Sequence, residues 1–121
     1  MGYYTRFECD VYKKTDEGRF VKPKDFHWGI VHKRVRNEYE RDWDDLFEDE
    51  IKWYGYKDDM IKLSSEFNDL YFNLSGYGEE SGDVWKEVFH GGKVIASWTL
   101  QATEPDFEEL LQDHRLTSGD E

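Results

Sequence analysis

Three runs decide the fold: Leu70-Tyr71-Phe72-Asn73-Leu74-Ser75, Val84-Trp85-Lys86-Glu87-Val88-Phe89 and Val94-Ile95-Ala96-Ser97-Trp98-Thr99-Leu100. All are rich in β-branched and aromatic side chains, which suit a pleated, half-buried surface. The first alternates, so Leu70, Phe72 and Leu74 share one face. Gly91-Gly92 separates the second run from the third, and both central positions of the favoured hairpin turn need positive φ. Glu79-Glu80-Ser81-Gly82-Asp83 is a loop, with Gly82 supplying its turn chemistry. Alternation assigns Val94, Ala96, Trp98 and Leu100 to one face against Ile95, Ser97 and Thr99. Gly76 and Gly78 predict a bulge or bend where the first strand ends. The result is an antiparallel three-strand meander.

Upstream, Ile51 to Tyr56 has strand composition. Asp58 stands where a helix N-cap belongs, with Asp59 in the first turn. Met60, Leu63 and Phe67 follow at helical spacing, with Ile61 beside them. Asn68-Asp69 closes the helix, since both tolerate the left-handed conformation.

Tyr3 to Lys14 alternates as a strand, with Phe7, Cys9 and Val11 facing the core and Arg6, Glu8 and Asp10 facing away. Thr15 to Gly18 makes a turn, and Arg19 to Lys22 returns as a short strand that stops at Pro23. Phe26, Trp28, Ile30, Val31, Val35 and Tyr39 predict a helix over Asp25 to Arg41, with Asp25 as N-cap. Thr103 and Pro105 open a last helix, which docks through Phe107, Leu110 and Leu111. These elements predict an α+β fold: a single antiparallel sheet of four to five strands with two to three helices packed on one face. Residues 1–116 form one domain, and 117–121 a polar tail.

The 121 residues suffice to bury roughly two-thirds of the unfolded chain's surface. Cys9 is the only cysteine, so no intrachain disulfide forms and a reducing, cytoplasmic setting is expected. Flanked by Glu8 and Asp10, it reads as a small buried hydrophobe, not a reactive thiol. No apolar run approaches the ~20 residues of a membrane span. Acidic residues number 28 against 16 basic, a net charge of −12. That charge repels phosphate backbones and anionic lipid, so no direct nucleic-acid or membrane binding is expected.

Chemistry is hard to find. His27, His32, His90 and His114 lack the spacing of a helical zinc site, and one cysteine cannot complete a thiolate cluster. The carboxylates of Glu79 to Asp83 lack the spacing of a calcium loop. Gly91-Gly92 precedes a strand, so it cannot cradle phosphate as a glycine-rich loop before a helix does. The serines have no nucleophile context. Catalytic residues, metal and cofactor are therefore all expected to be none, and the chain is read as no enzyme.

Two charge clusters remain. His32-Lys33-Arg34-Val35-Arg36 reads as a solvated helix face, with i, i+4 pairs Arg34–Glu38 and Arg36–Glu40. Glu38, Glu40, Asp42, Asp44, Asp45, Glu48, Asp49 and Glu50 place eight carboxylates in thirteen residues. Trp43, Leu46 and Phe47 lie among them at i, i+3 and i+4, which predicts a helical turn or two docked by its apolar side. Carboxylates on such an element can imitate the phosphate charges of a DNA duplex, one per about 1.7 Å of axis. They are the candidate partner-binding residues.

Lys52-Trp53-Tyr54, Asp58-Asp59-Met60, Leu63-Ser64 with Phe67, Gly76 to Trp85 and Gly91-Gly92-Lys93 resemble a family of small bacteriophage and prophage accessory proteins. More distantly, the helix-to-strand step and the acidic-glycine turn resemble YubB-type domains. That resemblance implies a ferredoxin-like variant of the α+β fold and a phage-encoded accessory protein in the host cytoplasm. The expected function is to inhibit or modulate a host defence or nucleic-acid-processing protein, as anti-CRISPR and anti-restriction inhibitors do, the expected partner being a basic surface of a host or phage protein. The alternative is a structural or regulatory module acting as a homodimer or through an aromatic sheet face of Tyr54, Tyr56, Tyr71 and Tyr77.

Overall fold

The structure, a computed structural model, describes residues 4–80, 82–99, 107, 108, 110 and 111. Strand β1 (Thr5–Lys14) is followed by β2 (Phe20–Val21), α1 (Trp28–Arg34), α2 (Trp43–Leu46), β3 (Glu50–Ile51), α3 (Tyr56–Glu66), β4 (Leu70–Gly78), β5 (Val84–His90) and β6 (Lys93–Thr99). The strands form one antiparallel sheet in the order β2-β1-β4-β5-β6, with β3 also paired to β1. The α+β class and the meander are as the sequence predicts. Six strands exceed the four to five expected, because β2 and β3, two residues each, share the outer edge of β1.

The topology departs from the ferredoxin-like expectation. In that arrangement a helical crossover joins two strands that have a third between them. Here α1, α2 and α3 all lie between β1 and β4 in the sequence, and those two strands are direct antiparallel neighbours, paired from Thr5↔Gly78 to Lys13↔Leu70.

Alternation along β1 and β4 gives the sheet two buried faces. Phe7, Val11, Phe72, Leu74 and Phe89 pack with Val31, Val35, Trp43, Leu46, Met60 and Leu63 of the helical side. On the other face Val88 and Ala96 pack with Phe107 and Leu110, against Tyr12, Phe20 and Tyr71. The expected docking residues of the C-terminal segment do dock, but on the face opposite α1–α3, so the helical cover is not confined to one side. Trp98 and Ile95 give that face the apolar surface that draws the segment there. Thr103, Pro105, Leu100, Tyr3 and the tail at 117–121 lie outside the described residues.

Several boundaries move for local reasons. The helix expected over Asp25 to Arg41 is only α1. Val35 turns extended at φ −130°, ψ 127°, and its carbonyl accepts the Trp43 indole N–H at 3.0 Å. Asn37 then holds the chain in a loop: its Oδ1 accepts the Tyr39 N–H at 3.0 Å, and its Nδ2 donates to the Arg41 carbonyl at 2.7 Å. His27, not Asp25, is the N-cap. The strand expected over Ile51 to Tyr56 shrinks to β3, and α3 begins at Tyr56 with Gly55 as its cap in place of Asp58. That helix ends at Phe67 (φ −121°), without the left-handed residue expected at Asn68-Asp69.

In the meander, Gly91 and Gly92 have φ +63° and +83°, as a two-residue hairpin requires. Register runs unbroken through Gly76 and Gly78, where a bulge or bend is expected, and the sheet's irregularity falls between Val88 and Phe89. Phe89 pairs with Val94 while Val88 pairs with Ala96, which leaves Ile95 as the extra residue. Val94 therefore joins the helical side and Ala96 and Trp98 the other, splitting the single face that alternation predicts.

Candidate functional site

The eight candidate carboxylates run from the Asn37 loop through α2 into β3. Trp43 and Leu46 are wholly buried, so α2 is docked by its apolar side as expected. Glu40, Asp42, Asp44, Glu48, Asp49 and Glu50 are exposed, and Asp45 is half-buried. Glu40 has φ +53°, the one non-glycine residue with positive φ among those described. Asp42 Oδ1 sits 3.3 Å from His32 Nε2. The i, i+4 pairs do not form, because the helix that would align them ends at Arg34. Arg34 instead meets Glu66 at 3.4 Å and covers the Phe67 ring at 4.7 Å. Arg36 Nη1 lies 3.4 Å from His32 Nε2.

Glu38 differs from the other seven, because it builds the segment. Its carboxylate accepts the Gly55 N–H at 2.7 Å, and its own N–H donates to Asp59 Oδ2 at 2.7 Å. Tyr39 donates its hydroxyl to the Lys52 carbonyl. Burial and, next, the Glu38 charge push the Tyr39 phenol above its ordinary value, so it stays a donor. The acidic segment is thus clasped along the chain that leads into α3.

That chain borders an aromatic cavity which sequence reasoning did not find. Its volume is about 220 Å³, with Phe7 and Trp53 beneath and Tyr54, Tyr56, Trp85 and Asp83 around it. Tyr56 stacks on Trp85 at 4.9 Å and donates its hydroxyl to Glu87 Oε1 at 2.9 Å. Lys57 Nζ lies 3.2 Å from the other Glu87 oxygen. Burial, followed by the Glu87 charge, drives the Tyr56 phenol far above its usual range and keeps it protonated. A second cavity, about 260 Å³, opens between Tyr56, Trp85 and Trp98. The sheet register supplies what the sequence alone lacks here. Gly76 pairs with Trp85, and a glycine opposite an aromatic in neighbouring strands leaves room for the ring to lie across the backbone.

The four tyrosines proposed as one aromatic face do not share one. Tyr71 stacks flat on His90 at 3.8 Å and belongs to the second core. Tyr77 lies under the Arg6 guanidinium at 4.5 Å. Tyr54 and Tyr56 border the cavity at the helical side. Cys9 is half-buried in a strand, and burial together with Asp10 raises its thiol well above the ordinary value. Among the described residues no three His, Cys, Asp or Glu side chains converge as a metal site would need, and no helix is long and apolar enough to cross a membrane.

Fold and site together define an antiparallel α+β domain with an acidic segment pinned beside an aromatic cavity. No family model, no curated protein and no solved structure matches the chain.

Proposed function

We propose that this chain is a non-enzymatic, phage-encoded accessory protein that acts in the host cytoplasm. It binds a basic surface of a host defence or nucleic-acid-processing protein, in the manner of anti-CRISPR or anti-restriction inhibitors. The acidic segment from Glu38 to Glu50 stands in for the phosphates of DNA.

One observation carries this reading. Trp43 and Leu46 are fully buried, yet Asp42, Asp44, Glu48 and Asp49 around them are exposed. The carboxylates are therefore held on a fixed element, so little ordering entropy is lost when they meet a partner. The net charge of −12 steers a basic partner toward the chain and makes association fall steeply with salt.

The test is charge reversal. A variant with Asp42, Asp44, Asp45, Glu48 and Asp49 changed to lysine is compared with the wild type in affinity capture from infected host cells, at low and high salt. The partner recovered by the wild type at low salt is lost by the variant, whose unfolding midpoint stays near the original. A partner retained by the variant, or no partner at any salt, overturns the reading.

A further inference from the structure

We propose that the outer edge of β1 is a docking slot for an extended segment of another protein, which joins the sheet there as one more strand. The slot stands apart from the acidic segment and does not depend on its reading.

The pairing of β1 defines the slot. On one side β4 accompanies the strand in unbroken register from Thr5↔Gly78 to Lys13↔Leu70. On the other side β3 covers only Thr5 and Arg6, and β2 only Lys13 and Lys14. Among the described residues no strand pairs with Phe7 to Val11 on that side. Every second residue of an antiparallel strand aims both its N–H and its C=O at the same neighbour, so the gap presents main-chain donors and acceptors to whatever strand arrives. The gap has a cause in the sequence. β2 ends at Val21, two residues before Pro23, which has no N–H to give a ladder.

Backbone pairing calls for an extended chain, and the wall of the slot says which side chain it carries. A cavity of about 190 Å³ opens beside the gap, lined by Cys9, Val11, Pro23, Phe26 and Trp28 among others. Phe7, Cys9 and Val11 face the helical side, and cross-strand neighbours share a face, so a residue set opposite Cys9 points into this cavity. An apolar cavity of about 150 Å³ accepts a benzene ring, so leucine fits here. Lys22 and Asp10, both in the cavity wall, pair at 3.8 Å while largely exposed, an interaction weak enough to part as a strand enters.

A second folded copy does not suit the slot. β2 and β3 occupy its two ends, and the net charge of −12 on each copy opposes their approach. A single strand of about five residues, roughly 17 Å long, passes between those ends. The sheet's other edge, β6, carries the extra residue Ile95, and a bulge turns an edge away from partners.

The experiment titrates the uncharged, end-capped peptide Thr-Thr-Leu-Thr-Thr into the whole chain and follows backbone amide signals by NMR. Two further peptides carry N-methyl groups, one at residues 1, 3 and 5 and the other at 2 and 4. The parent peptide shifts the amides of Phe7 to Val11. One methylated form binds about tenfold weaker, because its lost donors are those facing β1, while the other binds as the parent does. Equal binding of all three, equal loss by both methylated forms, shifts that miss Phe7 to Val11, or no shift up to millimolar peptide overturns the proposal. Because the peptide is uncharged, none of these outcomes bears on the acidic segment.

Discussion

The Trp53 indole N–H donates to Asp59 Oδ2 at 2.7 Å, and the same oxygen accepts the Glu38 backbone N–H at 2.7 Å. Asp59 is itself buried in α3. One carboxylate thus ties together the helix, the aromatic floor of the cavity and the first residue of the acidic segment. A buried charge persists when strong donors replace its lost water, and here a ring N–H and a main-chain N–H do so.

Asp59→Ala strands both donors away from water. Hydrogen bonds to a charged group contribute about 1.5–3 kcal/mol each, and unsatisfied donors add their own penalty, so the loss is about 3–5 kcal/mol. Trp53→Phe keeps a ring in place and removes one bond, so its loss is about 2 kcal/mol. Urea unfolding of both variants measures this. A cost below about 1 kcal/mol for Asp59→Ala would mean that water replaces the clasp.

Gly76→Ala tests the other side of the cavity. A Cβ at that position would overlap the Trp85 ring, with its nearest atoms in the six-membered ring and the indole nitrogen. The ring must leave its place over the strand, breaking its stack on Tyr56. Overpacking of this kind costs about 1–3 kcal/mol. Trp85→Leu alone loses ring burial, but the double variant loses less than the sum of the two singles. Additive losses in urea unfolding would show that the ring moves freely.

Legibility in the sequence follows how local the deciding interaction is. Period-two alternation placed Leu70, Phe72 and Leu74 correctly, and Gly91-Gly92 announced its turn, because each depends on neighbours a few residues away. The span of α1 was misread because Val31, Val35 and Tyr39 keep helical spacing whether or not the chain stays helical. What ends the helix is the Trp43 indole reaching the Val35 carbonyl, a contact across eight positions that spacing cannot register. The faces of β6 were misassigned for a similar reason: one extra residue, Ile95, inverts an alternation that looks unbroken. The eight carboxylates were visible as a cluster, but Glu38's role as a clasp was not, since its partners Gly55 and Asp59 lie 17 and 21 positions away. The cavity needed the sheet register before it could be seen at all.

The hairpin between β5 and β6 separates backbone from packing effects. Gly91 has positive φ with open space around it, whereas a Cβ on Gly92 would stand 3.2 Å from that of Ser65. The Gly92 N–H also donates to Ser64 Oγ at 3.0 Å, which joins the turn to α3. Gly91→Asn is thus nearly neutral, since asparagine visits the left-handed region readily. Gly92→Ala costs about 1–2 kcal/mol, through the left-handed conformation and the crowding of Ser65. Thermal melts of the pair check the ordering, and equal losses would place the strain in the turn alone.

Cys9 supplies a test in pH. Burial first and Asp10 second raise its thiol well above the usual value in the folded chain. Unfolding returns it to about 8.5, so the unfolded chain releases the proton first as pH rises. A group with a raised folded value gives stability that is whole below the unfolded pKa and is lost as pH climbs toward the folded one. The wild type should therefore lose stability relative to Cys9→Ala between about pH 8 and 10, by at most about 1.4 kcal/mol per pH unit. Tyr56, also raised, begins to act only above about pH 10, where its unfolded form titrates. Urea unfolding of the two proteins at pH 7, 8.5 and 9.5 isolates the thiol, because every other group cancels in the difference. A difference that stays constant across that range would show Cys9 to be as easily ionised in the fold as out of it.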